Sequence, residues 1–343
     1  MKKIHLIREK PSKFGGAEVY LSRLSKALKA EGIEYQIVNS IFPSFLPSWL
    51  RIILFNFQVC LTKKNKLYFS LERIVCPDVY RAGDGVHKVF LNIENKSKLN
   101  PLHPIYLFLE KRCFNNAKFI IANSNMIKDE IIDTYGIRPN KIDVVYNGVE
   151  SKTINHESSF KKLSKEFDID KNSSILLYVG SGFKRKGVEE FLEIIAKLKN
   201  QSVKAFIIGK EKNLEYYQQL SKDLKIDKTV IFTGPRADVD DFYTISDIFL
   251  FPTRYEPFSN VVIEAMSFNN VVFTTSQNGA SEILDKEYVM ENSKDYSIVK
   301  KINELISNTQ RLEEVKYSNK LISKEFSIER NLEQTLSVIK KSI

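Results

Sequence analysis

The stretch "DIFLFPTRYEPFSNVVIEAM", Asp247–Met266, has the pattern of a strand, a loop and the start of a helix. Its apolar run ends near Phe251, two prolines bound the loop, and Ser259 or Asn260 is suited to cap the helix that follows. A solid apolar strand is typical of parallel sheets that are covered on both faces. The segment therefore predicts an α/β fold with polar groups collected at the carboxyl end of a strand.

Strand-like and helical patterns alternate along the whole chain, as in two successive sets of βαβ units. We predict ten strands, five in each half: "KIHLIR", "EYQIV", "KLYFS", "KFIIA" and "IDVVY", then "SILLYVG", "KAFIIG", "TVIFTG", "DIFLF" and "NVVFTT". Ser124 and Asp238 are suited to cap two of the helices between the strands. The predicted fold class is α/β, with two doubly wound, Rossmann-like domains that face a central cleft.

The domain boundary is predicted from a polar stretch without periodicity that follows an Asn-Gly turn signal. We expect an N-terminal domain over residues 1–150, a linker over residues 149–172 and a C-terminal domain over residues 173–325. The remaining residues, 326–343, have the pattern of one long helix that begins after a serine cap. This helix could pack back on the first domain.

The charge of the chain is unevenly distributed. The net charge is +10, and an excess of nine positive charges lies in residues 1–150. Such a basic half suits an anionic membrane surface, a phosphorylated acceptor or nucleic acid. Drift of the composition towards lysine explains the excess equally well, so charge alone does not choose a partner.

Cysteine and histidine content gives no sign of a metal centre. Cys60, Cys76 and Cys113 are widely spaced and form no metal or redox motif, and the four histidines are scattered. The N-terminus lacks the apolar core of a signal peptide, and the apolar run Ile41–Leu61 is interrupted by two prolines, an arginine and an asparagine. We therefore expect a reducing, cytoplasmic location and no bound metal.

A glycine-rich basic loop follows a predicted strand in the second half, in "YVGSGFKRKGVEE". Gly182 permits a tight turn with close backbone approach, while Arg185 and Lys186 place cations beside a helix that starts near Gly187. Backbone N–H groups, a helix dipole and cationic side chains together suit a diphosphate. The loop is no Walker A motif, and a solvated basic turn is the simpler alternative.

Two glutamates flank the helix start in the opening stretch. Glu256 is expected in the loop and Glu264 one turn inside the helix, with the N–H groups around Ser259–Val262 between them. An anion could bind at these N–H groups while the carboxylates accept hydrogen bonds from hydroxyls. A sugar nucleotide has that order of groups, although two surface glutamates would give the same pattern.

A family resemblance favours the sugar nucleotide. The segment "FTGPRADVDDFYTISDIFLFPTRYEPFSNVVIEAM", followed by "VVFTTSQNGASEIL", resembles the C-terminal domain of retaining GT-B glycosyltransferases of family four. The resemblance implies that Glu256 lies near the donor sugar and that Glu264 holds the ribose. It matches Lys186 to the motif's lysine, whereas Ser181 stands where the family has an arginine, a charge that Arg185 or Lys184 could supply.

The first half resembles the same family more weakly. "KFGGAEVYLSRLSKAL" matches its N-terminal glycine loop at Gly15 and Gly16, which implies a helix N-terminus directed at the diphosphate. "YRAGDGVHKVFL" is similar to a string in the lipopolysaccharide-core glucosyltransferases, which implies a role for Asp84 or His87 beside the donor sugar. A histidine with a pKa near neutrality would donate to sugar hydroxyls, and a carboxylate would orient the acceptor. A turn aspartate and a packed histidine are the structural alternatives.

Together, residues and resemblance define an expected site. We expect catalytic roles for Asp84, His87, Lys186 and Glu256, and donor binding by Gly15, Gly16, Gly182, Arg185, Lys186, Ser259, Asn260 and Glu264. The implied reaction is metal-independent transfer of a hexose, with retention, from a UDP-sugar to a glycan such as the lipopolysaccharide or lipooligosaccharide core. UDP-glucose and UDP-galactose are favoured as the donor, GDP-mannose stays open, and no permanently bound cofactor is implied.

Several alternatives remain open at this point. A GT-B enzyme of another type, such as an epimerase or a sugar-phosphate synthase, and a non-catalytic two-lobed sugar-binding protein share the layout. A glycoside hydrolase also uses two carboxylates, but it needs no cationic loop.

The implied partners are a nucleotide-sugar donor, a lipid-linked glycan acceptor and an anionic membrane surface, without nucleic acid. Two segments could contact the cytoplasmic face of the membrane: "IFPSFLPSWLRIILFNF", and "KVFLNIENKSKLNPLHPIYLFLEKRCF" with its basic residues Lys88, Lys96, Lys98, Lys111 and Arg112. The competing view is that both segments pack into the core of the first domain.

Overall fold

The computed structural model describes residues 3–10, 16–94, 100–199 and 202–342. It contains two compact units. The N-terminal unit comprises Met1–Asn147 together with Glu329–Ile343, and the C-terminal unit comprises Gly148–Ile328. Each is described here by itself.

The N-terminal unit contains a parallel six-stranded sheet. Its strands are β1 (Ile4–Ile7), β2 (Tyr35–Val38), β3 (Leu67–Ser70), β4 (Val79–Ala82), β5 (Phe119–Ala122) and β6 (Ile142–Val144). The helices that connect them are α1 (Gly16–Ala30), α2 (Ser48–Thr62), α3 (His87–Ile93), α4 (Leu102–Asn116) and α5 (Asn125–Tyr135). The strand order is β2-β1-β3-β4-β5-β6. The carboxyl ends of all six strands therefore lie at one edge of the sheet.

The C-terminal unit repeats this architecture. Its strands are β7 (Ser174–Val179), β8 (Val203–Ile208), β9 (Val230–Gly234), β10 (Ile248–Phe251), β11 (Val271–Thr275) and β12 (Val289–Met290), in the order β12-β11-β10-β7-β8-β9. The helices are α6 (His156–Phe167), α7 (Val188–Lys197), α8 (Leu214–Asp223), α9 (Val239–Ile245), α10 (Asn260–Ser267), α11 (Ile298–Ser307) and α12 (Thr309–Ser323). The predicted pair of Rossmann-like α/β domains is thus confirmed.

The last helix, α13 (Ile328–Lys341), packs in the N-terminal unit. Leu336 and Ile339 lie in the same buried cluster as Ile4 of β1. Tyr20 and Thr335 join α1 to α13 through a hydrogen bond of 3.0 Å between their hydroxyl groups. Each fully buried aliphatic side chain contributes about 1.5–3 kcal/mol, so α13 is a structural part of this unit.

All ten predicted strands are present, and two short ones were missed. β12 has two residues, and β4 contains Arg81, which breaks the apolar run. Arg81 is nevertheless buried: its guanidinium lies 4.0 Å from the ring centroid of Tyr20 and donates to Asn147 Oδ1 at 2.7 Å. A buried arginine that is satisfied by tertiary contacts gives no strand pattern in the sequence.

The segment expected as a linker, residues 149–172, contains α6. Asn155 caps this helix by accepting from the N–H of Ser158 at 2.9 Å. Only Ser159 and Leu163, one turn apart, are buried on it, so its apolar face was too small to show as a periodic pattern. The Ser159 hydroxyl donates to Asp241 of α9 at 2.7 Å, which ties the helix to the C-terminal unit.

Ser124 acts as a helix cap, whereas Asp238 does not. Ser124 accepts from the N–H of Ile127 at 3.2 Å, whereas Asp238 makes no capping bond and accepts from Arg236 Nε and Lys162 Nζ instead.

Among the described residues, none of the helices is long and apolar enough to cross a bilayer.

Candidate active site

The glycine-rich basic loop joins β7 to α7 in the C-terminal unit. Gly182 and Gly187 adopt φ values of +77° and +78°, which residues with a side chain rarely adopt. A Cβ atom on Gly187 would lie 1.8 Å from the carbonyl oxygen of Pro252, the first residue after β10. Glycine at position 187 therefore allows the β7–α7 loop to pack directly against the loop that follows β10.

Three of the expected site residues meet where these two loops touch. Arg185 Nη1 donates to Glu256 Oε2 at 2.7 Å and to the carbonyl oxygen of Tyr255 at 2.8 Å. Lys186 Nζ lies 3.7 Å from the same Glu256 oxygen. The side chains are 31%, 18% and 17% exposed for Arg185, Lys186 and Glu256, so solvent still reaches all three. Two cations against one carboxylate leave an excess of positive charge for an anionic ligand.

A carboxylate that the sequence did not indicate supports the basic loop. Glu211 Oε2 accepts from the N–H of Phe183 at 2.9 Å, and its Oε1 accepts from the N–H groups of Lys212 and Asn213. Partial burial alone would raise the pKa of Glu211, but these backbone donors lower it, so the carboxylate stays charged. No sequence motif marks this contact, because the two loops are joined only in the folded chain.

The second glutamate lies on α10, as expected. Glu264 accepts a hydrogen bond of 3.2 Å from the hydroxyl of Tyr243, and it is partly exposed. Ser259 occupies the N-cap position, 4% exposed and without a side-chain capping bond, while Asn260 is exposed. Of the N–H groups at which an anion was expected to bind, that of Val262 already donates to the Ser259 carbonyl at 3.2 Å.

In the N-terminal unit, Asp84 and His87 follow β4. The Asp84 side chain is 82% exposed, and its Oδ2 lies 4.0 Å from Arg73 Nη1. His87 is the first residue of α3 and is half-buried, with its Nε2 3.2 Å from His103 Nδ1. Asp84 therefore offers its carboxylate to solvent, whereas His87 is largely packed against aromatic rings, including Tyr106 at a centroid distance of 5.1 Å.

The expectation of a near-neutral pKa for His87 was wrong. Burial lowers the pKa of His87 to about 4, and the nearby Arg73 and His103 add to the effect, against an opposing contribution from Glu110. The imidazole is therefore neutral at physiological pH. It can still donate or accept a hydrogen bond, but it carries no charge there.

Two buried charged residues beside this loop were missed by the sequence analysis. Arg73 Nε donates to Glu110 Oε1 at 3.0 Å, and the Glu110 side chain is completely buried. One signal was available: Glu110 lies on the same face of α4 as the buried Cys113 and Phe114, where a carboxylate needs buried partners.

The two expected glycines of the N-terminal loop precede α1 or begin it. Gly15 lies outside the described residues, and Gly16 is the first residue of α1. Among the described residues, no group of three or more histidine, cysteine, aspartate or glutamate side chains could hold a metal ion. Cys60 and Cys76, which form no sequence motif, lie close together, with their sulfur atoms 2.7 Å apart.

Comparisons with known proteins agree with this geometry. Residues 159–322 match the glycosyl transferases group 1, and residues 84–152 match glycosyltransferase family 4. These matches identify glycosyltransferase domains in residues 84–152 and 159–322. The matched ranges contain the basic loop, both glutamates of the C-terminal unit, Asp84 and His87. The family resemblance seen in the sequence is thus confirmed, while the roles of the individual residues stay predictions.

Proteins similar to this chain include glycosyltransferases of polysaccharide and lipopolysaccharide biosynthesis. It is 28% identical over 238 residues to the capsular polysaccharide biosynthesis glycosyltransferase CapM of Staphylococcus aureus, covering 65% of this chain and 61% of that protein. It matches the crystal structure of WaaG, a glycosyltransferase involved in lipopolysaccharide biosynthesis, with a TM-score of 0.81, 18% identity and coverage of 98% and 99% of the two chains.

A second solved structure has a nucleotide sugar's components bound. Anabaena HepE in complex with UDP and glucose matches with a TM-score of 0.76, 18% identity and coverage of 99% of this chain and all of that one. Such low identities show the GT-B fold alone. The chain spans about half the length of the curated relatives it matches.

The pKa of His87 predicts a pH-dependent stability. Since the folded pKa is about 4 and the ordinary value 6.5, the unfolded chain binds the proton first as pH falls through this window, and stability is lost. His87→Gln should therefore lower the slope of unfolding free energy against pH between 6.5 and 4, by up to about 1 kcal/mol per pH unit. Urea unfolding at a series of pH values measures this slope for the unmodified protein and for the variant. Equal slopes for the two proteins would show that His87 does not titrate in this way.

Proposed function

We propose that the protein is a retaining, metal-independent glycosyltransferase that moves a hexose from a UDP-sugar, UDP-glucose or UDP-galactose, to a lipid-linked cell-surface glycan. The observation that carries this proposal is the contact of Arg185 and Lys186 with Glu256 beside the start of α7. The group 1 and family 4 matches support the reaction class, and the UDP complex of HepE supports the donor. The lipopolysaccharide role of WaaG supports the acceptor class.

Cations in the C-terminal unit would stabilise the leaving group. As the bond between sugar and phosphate breaks, negative charge grows on the diphosphate, and cations that are already positioned stabilise it without rearranging. Glu256 holds Arg185 and Lys186 in place before the donor binds. With Glu256 near the sugar and Glu264 accepting from the ribose hydroxyls, the donor would be oriented along its whole length.

Residues of the N-terminal unit would meet the acceptor. The exposed carboxylate of Asp84 can accept the hydrogen bond of an acceptor hydroxyl, and neutral His87 can donate to a sugar oxygen. With retention, the acceptor oxygen would bond to the anomeric carbon on the face from which the nucleoside diphosphate departs, and the departing phosphate would take the acceptor proton. Asp84 and His87 then assist by orientation and do not form a covalent intermediate.

The first test concerns Lys186. Lys186→Gln should lower turnover by about 10²-fold and weaken UDP-glucose binding far less, because the lost charge acts mainly as the phosphate leaves. Turnover is measured as UDP released from UDP-glucose, and binding by calorimetry. Lys199→Gln, an exposed position just past the C-terminal end of α7, is the control and should keep its turnover. Normal turnover in Lys186→Gln would contradict the assignment, and a changed sugar without UDP release would indicate an epimerase.

The second test concerns Glu264. Glu264→Ala should weaken UDP and UDP-glucose equally, by about 1.5–3 kcal/mol, because both ligands share the ribose and a charged acceptor is lost. Calorimetry with each ligand measures the two dissociation constants. Glu215→Ala removes an exposed carboxylate from the first turn of α8 and should leave both constants unchanged. Unchanged UDP affinity in Glu264→Ala would exclude Glu264 from the donor site.

A membrane contact is proposed for the outer face of α2. This helix buries Ile52, Phe55, Asn56 and Val59, and it exposes a second stripe at four-residue spacing: Trp49 (40%), Ile53 (42%), Phe57 (62%) and Leu61 (62%). The segment therefore contributes to the core, as the competing view expected, and still presents apolar side chains outwards. The positive excess of residues 1–150 gives charge complementarity to anionic lipids. We propose peripheral binding on the cytoplasmic face of the membrane.

The second basic segment lies partly outside the described residues. Lys96 and Lys98 lie outside the described residues. On α4, Lys111 and Arg112 are exposed, and the Arg112 guanidinium lies 5.6 Å from the ring centroid of Phe108, which is itself 58% exposed. A cation beside an exposed aromatic ring suits a lipid headgroup region.

Sedimentation with vesicles tests the membrane contact. Binding should require phosphatidylglycerol in phosphatidylcholine vesicles and weaken as salt rises, because basic residues near the surface contribute about 1 kcal/mol each. The variant Phe57→Ser with Leu61→Ser should bind more weakly. Tyr317→Ser with Leu321→Ser is the matched control, since these side chains of α12 have the same spacing and are 62% and 44% exposed. Equal binding to neutral and anionic vesicles, or none to either, would contradict the proposal.

A further inference from the structure

The completely buried carboxylate of Glu110 has a full set of partners. Its Oε1 accepts from Arg73 Nε at 3.0 Å and from the N–H of His87 at 2.7 Å. Its Oε2 accepts from the hydroxyl of Tyr135 at 2.7 Å and from the N–H of Lys88 at 3.3 Å. Two of these four donors are consecutive backbone N–H groups at the start of α3.

Glu110 thereby caps a helix that lacks a cap of its own. The N-cap residue of α3, Val86, has no side-chain oxygen to accept from the first N–H groups, and α3 has only seven residues. A short helix is marginal without capping, because its first N–H groups have no partners within the helix. A carboxylate from α4, distant in sequence, accepts from these groups and also interacts favourably with the helix dipole.

Arg73 holds the other side of the same segment. Its Nη2 donates to the Gly85 carbonyl at 3.1 Å, and its Nη1 lies 4.0 Å from Asp84 Oδ2. The ion pair of Arg73 and Glu110 therefore fixes the carbonyl of Gly85 and the N–H groups that follow it. Asp84 and His87, the residues proposed to meet the acceptor, lie within this fixed segment.

We propose that Glu110, acting with Arg73, is a positioning residue that holds Asp84 and His87 in the geometry for glycosyl transfer. This inference rests on the proposed function for its effect on turnover. The pair itself does not touch the reacting atoms: it acts through the backbone of residues 85–88. Three hydrogen bonds of the pair go to this one short loop, two to Glu110 and one from Arg73.

A variant that keeps stability separates the two roles. Replacing a buried ion pair by apolar side chains is often neutral or stabilising, whereas removing one partner leaves an unpaired charge. We therefore combine Arg73→Met, Glu110→Leu and Tyr135→Phe, so that neither the Arg73 guanidinium nor the Tyr135 hydroxyl is left without the Glu110 carboxylate. The N–H groups of His87 and Lys88 then lose this acceptor, which is the change that the variant tests. Tyr135→Phe alone is the matched control, because it removes one bond to Glu110 and none to the loop.

The experiment combines hydrogen exchange, ligand binding and turnover. In the triple variant, the amides of His87 and Lys88 should exchange at least tenfold faster, and turnover should fall at least tenfold. UDP affinity should stay close to that of the unmodified protein, because the proposed contacts of Lys186, Glu256 and Glu264 with the donor belong to the C-terminal unit. The thermal midpoint should also stay close, because apolar side chains replace the buried ion pair. Tyr135→Phe should remain within about twofold in turnover. Unchanged exchange, or normal turnover with the loop released, would overturn the inference.

A second variant covers failure of the triple variant to fold. Arg73→Lys keeps the charge opposite Glu110 but has no second arm for the Gly85 carbonyl, and it should give a smaller rise in exchange of the loop with a smaller fall in turnover. Unchanged values in this variant would again overturn the inference. If the unmodified protein shows no transfer, the proposed function fails, while the exchange rates of His87 and Lys88 still report whether the pair holds the loop.

Discussion

The candidate donor site depends on the direct backbone contact between Gly187 and Pro252. Because no side chain can be accommodated at position 187, the β7–α7 loop can lie against the loop after β10. The N–H of Arg254 donates to the carbonyl of Arg185 at 2.9 Å, which locks the two loops together. Together, these contacts place Arg185 and Lys186 of one loop beside Glu256 of the other. The chemistry of the site is thus set by a position that contributes no functional group.

Much of the C-terminal site could be predicted because its parts lie close in sequence to strong local signals. The apolar runs of β7 and β10, the glycines between Gly180 and Gly187 and the helix starts at residues 188 and 260 are all local features. Parallel strands then bring their carboxyl ends to one edge by topology alone, so residues that follow neighbouring strands meet. Topology therefore brings Arg185 and Glu256 to the same edge of the sheet, and the glycine at position 187 allows their direct contact.

The loop after β4, with Asp84 and His87, was less predictable. The residues around it are buried by side chains that are distant in sequence. Nothing local distinguishes Glu110 from a surface glutamate except its position on an apolar helix face, and the depressed pKa of His87 arises from neighbours on other elements. Residues 149–172 were expected to be a linker for a related reason. The helix in this stretch, α6, buries only two of its own side chains and so gives no apolar pattern. Sequence patterns report the environment of a residue only when that environment repeats along the chain.

The placement of α13 has a consequence for how the protein is made. The core of the N-terminal unit, which includes Ile4, is completed only when Leu336 and Ile339 are available. At synthesis rates of roughly 5–20 residues per second, about 10–40 seconds separate the end of β6 from the arrival of α13. The continuous segment of the C-terminal unit emerges during that interval and can fold first. The nascent N-terminal unit therefore presents an incomplete apolar surface on the ribosome until α13 has been made.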